Sequence, residues 1–70
     1  MESIIRGLQI LDTYNGSLKL SLDLIKIEDF EFTKILKEDF ETLELLGWDI
    51  ITKRDNGNLI RASYNTAKHL

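Results

Sequence analysis

The sequence contains no cysteine, which excludes disulfide bonds, thiolate metal sites and a cysteine nucleophile. Its single histidine is His69, the penultimate residue, so a histidine-based metal site or catalytic triad would need a second protein. Proline is also absent. No apolar run approaches the length that spans a bilayer, and the N-terminus lacks a signal-peptide pattern. We therefore expect a soluble, intracellular (cytoplasmic) protein that holds no metal or cofactor and has no membrane partner.

The residues that are present are enough for one small globular domain. The chain has 70 residues, of which 43% are hydrophobic and 30% are charged, a composition typical of folded proteins. This length predicts a single domain, residues 1–70, at the small end of what folds alone. Because so small a core gives little stability, we expect a homodimer that buries more surface.

Acidic residues outnumber basic ones, and the two signs are divided along the chain. The net charge is -3, which by itself argues against nucleic acid. Up to Gly47 there are five basic and ten acidic residues, whereas from Trp48 onward there are four basic and two acidic residues. Any contact with phosphate is therefore expected first in the rear segment.

The segment 33–46 has the periodicity of an amphipathic helix. Apolar residues recur at i, i+4 and i+7, at Leu36, Phe40 and Leu43. Thr33 suits the N-cap of this helix, and Gly47 suits the left-handed residue that ends one. The hydrophobic period then changes from 3.6 to 2 at Trp48, which indicates a strand directly after the helix.

Two interpretations of residues 1–16 stay open. Apolar side chains lie there at helical spacing, Ser3 can cap the start and Asn15-Gly16 can end the helix. Asn-Gly is also a strong hairpin turn, which would make the segment 4–27 a hairpin. We favour the helix, because Arg6 and Asp12 would interrupt the buried face of a strand.

The segment 17–27 carries signals for both kinds of element. Its leucines alternate with polar residues, at Leu18, Leu20, Leu22 and Leu24, which indicates a strand. Ser21, however, can cap a short helix. We predict a short extended piece that is followed by a short helix, and then a turn that inserts Phe30 or Phe32 into the core.

The segment 48–65 predicts a β-hairpin that turns around Asn56-Gly57. Two apolar sets alternate along its strands: Trp48, Ile50 and Thr52 on the first, and Ile60, Ala62 and Tyr64 on the second. A loop of odd length puts both sets on the core side, since a shift by one residue reverses every side chain. Four residues then point away from the core: Ile51, Lys53, Leu59 and Arg61.

This order of elements resembles a winged helix-turn-helix domain of the biotin-repressor and DeoR types. The resemblance is carried by the segment Asp39 to Ile50, where an acidic residue and leucines precede a glycine and an aliphatic strand, and by the following IITKRDNGNLIRASY. It implies a small α+β fold with three helices and a C-terminal β-hairpin wing. The alternative fold is ββαββ.

The resemblance also implies a transcription-regulator-like DNA-binding module. Its recognition helix would be 33–46, which would enter the major groove, and its basic wing would be 53–61. The residues expected on double-stranded DNA are Thr33, Lys34, Lys37, Lys53, Arg54, Asn56, Asn58 and Arg61. Because Glu38, Asp39, Glu41 and Glu44 crowd the same helix, one copy should bind DNA weakly.

The alternative function is an acidic winged helix that binds a protein. It would meet a basic partner or imitate the charge of DNA. Outward aliphatic side chains would form its partner surface, at Leu45, Ile51 and Leu59. We predict no enzyme, because general acid–base catalysis needs two carboxylates that are held in a cleft with separated pKa values, and 70 residues leave little room for one.

Overall fold

The computed structural model describes residues 2–53 and 57–68, and within them the chain forms two helices and one four-stranded antiparallel sheet. The elements in chain order are α1 (Glu2–Asp12), β1 (Ser17–Leu20), β2 (Leu24–Glu28), α2 (Lys37–Leu45), β3 (Asp49–Thr52) and β4 (Leu59–Asn65). The strand order in the sheet is β1-β2-β4-β3, so β2 and β4 lie in the middle. The chain therefore consists of two successive helix–hairpin units whose inner strands pair with each other.

This α+β fold is not a winged helix. The prediction of three helices with a terminal wing was wrong, and so was the ββαββ alternative, because residues 2–12 form a helix and residues 17–28 form a hairpin. Leu18, Leu20 and Leu24 are strand residues, Leu22 lies in the turn between β1 and β2, and no short helix stands there. β2 pairs with β4 from Leu24–Asn65 to Glu28–Arg61, so β4 is a central strand and the last hairpin does not project as a wing.

Both helices pack against one face of the sheet, which we call the core face. The buried apolar cluster joins Leu11 from α1 and Leu43 from α2 with Ile27, Ala62 and Tyr64 from the two central strands. The register pairs Ile27 with Ala62 and Ile25 with Tyr64, which places these side chains on the same face. Side chains of opposite parity, such as Lys26 and Arg61, lie on the other side, which we call the open face.

α1 confirms the helical interpretation of the first segment, and it packs through a glycine. Ile4, Gly7 and Leu11 recur at helical spacing and are buried. A Cβ atom at Gly7 would overlap Nε1 of Trp48, so only glycine lets the helix approach the indole this closely. The indole N–H of Trp48 donates a hydrogen bond to the carbonyl of Ser3 at 3.2 Å.

α2 is shorter than predicted. It begins at Lys37, and its N-cap is Leu36, which makes no capping hydrogen bond with its side chain. Thr33, the predicted cap, instead donates its hydroxyl to the carbonyl of Phe30. Leu43 is buried as predicted, but Leu36 is exposed, because it precedes the helix and does not continue the apolar stripe. Gly47 has a φ of 95°, which confirms the left-handed end of the helix.

A β-bulge sets the register of the last hairpin and corrects one prediction. Ile51 pairs with Arg61, whereas Thr52 pairs with Leu59, so Ile60 is an extra residue in β4. The bulge turns Leu59 toward the core, where it is fully buried, and leaves Ile60 exposed. The predicted orientations of these two residues were therefore wrong, because the alternation along β4 changes phase at the bulge.

Candidate functional site

Four of the predicted DNA-binding residues lie together where β4 begins. Lys34 and Asn58 form an antiparallel bridge, and the carbonyl of Thr33 accepts a hydrogen bond from the N–H of Leu59 at 2.6 Å. On the other side, the N–H of Lys53 donates to the carbonyl of Asn58. Arg54 and Asn56 lie outside the described residues. The structure thus brings Thr33, Lys34, Lys53 and Asn58 to one end of the sheet.

This end of the molecule carries charges of both signs. Lys37 opens α2, and it lines a shallow cleft of about 440 Å³ with Lys34, Glu41 and Glu44. The Lys53 ammonium lies 4.2 Å from the ring centroid of Phe32, an exposed aromatic side chain. Opposite charges within the same cleft reduce the attraction that the lysines alone would exert on phosphate.

Arg61 is separate from these residues. It lies on the open face of β4, directly opposite Glu28 of β2 in the strand register. Around it is a shallow cleft of about 350 Å³ whose lining includes Ile51, Ile60 and Asp29. The predicted DNA-binding residues therefore do not share one surface, because Lys37 lies on α2 on the core side of the sheet and Arg61 lies on the open face, and the last hairpin does not project as a wing.

The predicted partner surface is also divided. Leu45 is 89% exposed on α2, and Ile51 lies on the open face of β3. Leu59 is 0% exposed, so its assignment to a partner surface was wrong. The bulge at Ile60 is the reason, because it reverses the side of the sheet that Leu59 faces.

A larger apolar surface lies elsewhere, along α1 and β1. Ile5 and Leu18 are each about half exposed, Leu20 is 71% exposed, and Leu22 at the tip of the first hairpin is fully exposed. We call these four residues the apolar strip. Ile5 and Leu18 line a groove of about 390 Å³ together with Leu8, Leu11 and Ile27. The alternating leucines of segment 18–24 are the sequence signal for this apolar surface. They predict a strand, but they do not predict that the strand lies at an exposed edge of the sheet.

The position of β1 explains why its leucines are exposed. Leu18 pairs with Ile27 and Leu20 pairs with Ile25, so both leucines lie on the core face. β1 is nevertheless the outermost strand, and α1 does not cover it: every residue of β1 is exposed. Apolar side chains that belong to the core face thus extend beyond the helix that should bury them.

The open face of the same hairpin carries an ion-pair cluster. The Lys19 and Lys26 ammonium groups lie 2.8 Å from the two carboxylate oxygens of Glu28. The hydrogen bond from Lys19, and then that from Lys26, lowers the pKa of Glu28 to about 2. The same bond to Glu28 raises the pKa of Lys19. β1 therefore has an apolar side on the core face and an ion-paired polar side on the open face.

A second polar contact connects the two helices. The Tyr14 hydroxyl donates a hydrogen bond to Asp39 at 2.6 Å and accepts one from the N–H of Leu36 at 3.2 Å. Burial, and then the bond to Asp39, raises the pKa of Tyr14. Because this hydroxyl takes the place of a capping side chain at the start of α2, its role is structural.

The connection between β2 and α2 has an unusual backbone. Asp29, Glu31 and Phe32 all have positive φ, between 51° and 63°, although none is glycine. The turn inserts Phe30 into the core, as the sequence predicts, and leaves Phe32 at the surface. A small cleft of about 250 Å³ borders this turn.

A metal-ion site and a membrane-spanning helix are both absent from the described part of the chain. Over residues 2–53 and 57–68, no group of three or more histidine, cysteine or acidic side chains is placed to hold a metal ion. Neither helix in the described part of the chain has the length and apolar character that crossing a membrane requires. Comparison with protein-family models, with curated proteins and with solved structures finds no match to this chain.

Proposed function

We propose that this chain is a protein-interaction module whose binding surface is the apolar strip. The observation that carries the proposal is the exposure of Leu18 and Leu20 on the core face of an edge strand. Full burial of an exposed leucine contributes about 1.5–3 kcal/mol. Leu18 and Leu20 are 52% and 71% exposed, so a partner that covers them gains only the corresponding part of that contribution. Protein binding is the alternative function predicted from the sequence, here assigned to a different surface on a different fold.

Two features distinguish the apolar strip from scattered surface leucines. Its members are contiguous, because Ile5 and Leu18 line one groove and Leu20 continues along the same strand face. It also lies beside the free backbone edge of β1, where an added strand can form main-chain hydrogen bonds while its alternate side chains enter the groove. A lone exposed leucine, such as Leu45 on α2, has neither feature.

The test is binding of immobilised wild-type protein to a displayed peptide library and to the wild-type chain itself. We expect bound ligands to lose affinity for Leu20→Ser and to keep it for Leu45→Ser, the same change at a more exposed leucine outside the strip. Absence of any ligand whose binding depends on Leu20 contradicts the proposal.

A second candidate function is weak contact with duplex DNA at the start of β4. One observation favours it: Lys34 and Lys53 flank Asn58 there, and Lys37 lies nearby at the start of α2. We expect salt-sensitive binding that weakens for the triple variant Lys34→Ala, Lys37→Ala and Lys53→Ala. The control is Lys19→Ala, at the other edge of the sheet. Gel shifts at low salt with no retained duplex at high protein concentration reject this candidate.

A further inference from the structure

We infer that the occupant of the apolar strip is a second copy of this chain, which joins β1 to β1 across a two-fold axis at Lys19. This inference rests on the proposed function, because it names the partner of the same surface. Its first support is the sequence of the edge strand and the residue after it, Ser-Leu-Lys-Leu-Ser from Ser17 to Ser21, which is palindromic about Lys19.

A palindrome is what a symmetric strand pair requires. In a two-fold interface the same patch serves both subunits, so each residue must suit the residue that symmetry places opposite. An antiparallel pair centred on Lys19 sets Leu18 opposite Leu20 of the second copy, and Ser17 opposite Ser21. Apolar residues then meet apolar ones on the core face, and polar residues meet polar ones on the open face.

The backbone N–H and C=O groups of β1 that face away from β2 belong to the residues that this register requires. The N–H of Ser21 donates to the carbonyl of Leu24 at 2.9 Å, which makes these two residues a hydrogen-bonded pair of the first hairpin. Because such pairs alternate along antiparallel strands, Lys19 also bonds toward β2, whereas the N–H and C=O groups of Leu18 and Leu20 face outward. The proposed register pairs these outward groups with each other, so each Leu18–Leu20 pair exchanges both hydrogen bonds.

The charges of the strand permit this register. Two Lys19 side chains would lie side by side on the open face, and like charges in that position are unfavourable. Each Lys19, however, already forms an ion pair of 2.8 Å with Glu28 of its own chain. Lys26 binds the same carboxylate, so each copy brings a cluster with a net charge of +1, and the apolar pairs on the core face must outweigh the repulsion that remains.

The opposite sheet edge does not offer an equivalent surface. The pairing of β3 with β4 is interrupted by the shift between Ile51 and Thr52. A bulge is a common device that protects an edge strand from further pairing. β1 pairs with β2 in continuous register over its whole length and has no such interruption.

Single-cysteine variants test the axis directly, because the natural chain contains no cysteine. Lys19→Cys places the two thiols opposite each other, at a Cα separation of about 4.5 Å that a disulfide can span. Ser17→Cys is the matched control, since it lies on the same strand and face but opposite Ser21. We expect rapid oxidation of Lys19→Cys to a covalent dimer on a non-reducing gel and slow oxidation of Ser17→Cys. Equal rates for the two variants overturn the inference.

Sedimentation equilibrium of the chain gives an independent readout. We expect concentration-dependent dimers whose dissociation constant rises about tenfold or more in Leu20→Lys, because that charge would be buried without a partner. Leu45→Lys is the matched control and should leave the dissociation constant unchanged. A monomeric wild type, or a dimer that tolerates Leu20→Lys, overturns the inference. If that monomer still binds a peptide through Leu20, the proposed function stands; if it does not, both fail.

Discussion

The two helix–hairpin units of this protein share a topology but present different surfaces. Each unit runs from a helix to an edge strand and then to a central strand, and the central strands β2 and β4 pair antiparallel in the middle of the sheet. In the first unit, the groove beside the edge strand is lined by apolar residues such as Ile5 and Leu18. In the second unit, the corresponding cleft combines the apolar Ile35 and Phe40 with two lysines and two glutamates. The same backbone topology therefore supports a mainly apolar groove in the first unit and a cleft with charged side chains in the second unit.

The two hairpins differ in the regularity of their edge strands and in the apolar side chains that these strands expose. In the second hairpin, the bulge at Ile60 of β4 interrupts the pairing with the edge strand β3. The first hairpin has a regular edge and three exposed leucines at Leu18, Leu20 and Leu22. The difference between the units is therefore at their outer edges, since both inner strands are equally central.

The largest expected effect tests whether the two helices contribute equally to the core. Leu11 of α1 and Leu43 of α2 are both fully buried, so Leu11→Ala and Leu43→Ala should each destabilise the fold by about 2–5 kcal/mol. Chemical denaturation followed by circular dichroism measures both. Leu45→Ala, at an exposed site on the same helix as Leu43, is the control and should change stability by less than about 0.5 kcal/mol. A much smaller loss for one buried leucine would mean that its helix contributes little.

A smaller effect tests the contact through which α1 meets the second unit. Gly7→Ala inserts a methyl group into the Trp48 indole, and overpacking of this kind costs about 1–3 kcal/mol. The better helix propensity of alanine, about 1 kcal/mol, offsets part of that loss. The double-mutant cycle with Trp48→Phe checks the cause, because the smaller ring should relieve the clash. Equal losses in both backgrounds would refute the contact.

The elements with clear local signals could be predicted from the sequence. The helical spacing of Ile4 and Leu11, the left-handed Gly47 and the final hairpin were all sufficient to place α1, the end of α2 and the strands that follow. The hairpin of segment 17–28 was missed, because its serine suggested a helix cap. In the structure, the Ser21 hydroxyl instead donates to the carbonyl of Leu24 and closes the turn.

Features that depend on tertiary contacts could not be predicted. The bulge at Ile60 arises from the pairing of β3 with β4, and no local signal marks it. The start of α2 is set by the Tyr14 hydroxyl, which lies 22 residues before Leu36 in the chain. The exposure of the apolar strip depends on the strand order, which places β1 at an edge. For these reasons only some of the basic residues that were predicted to act together lie next to each other in the structure.

Tyr14→Phe tests a polar contact between the units and should cost about 1 kcal/mol at neutral pH, since it removes the hydrogen bond to Asp39. The raised pKa of Tyr14 also gives a pH signature. The folded state holds the phenolic proton more tightly than the unfolded chain, so this contribution is complete below pH 10 and is lost as pH rises through the folded-state pKa. Urea denaturation between about pH 8 and about pH 11 should show a loss of unfolding free energy at alkaline pH, and Tyr14→Phe should reduce that loss. An unchanged alkaline slope in the variant would contradict this assignment.

The smallest effect concerns the ion-pair cluster that is particular to the first unit. The bonds from Lys19 and Lys26 lower the pKa of Glu28 to about 2, so the carboxylate stabilises the fold above its unfolded pKa of about 4.3. That contribution is lost as pH falls from there toward 2, because the unfolded chain takes up the proton first. Glu28→Gln should therefore flatten the acid side of the stability profile. Since surface ion pairs are screened, added salt should reduce the difference between wild type and Glu28→Gln, and a difference that is independent of salt would point to packing.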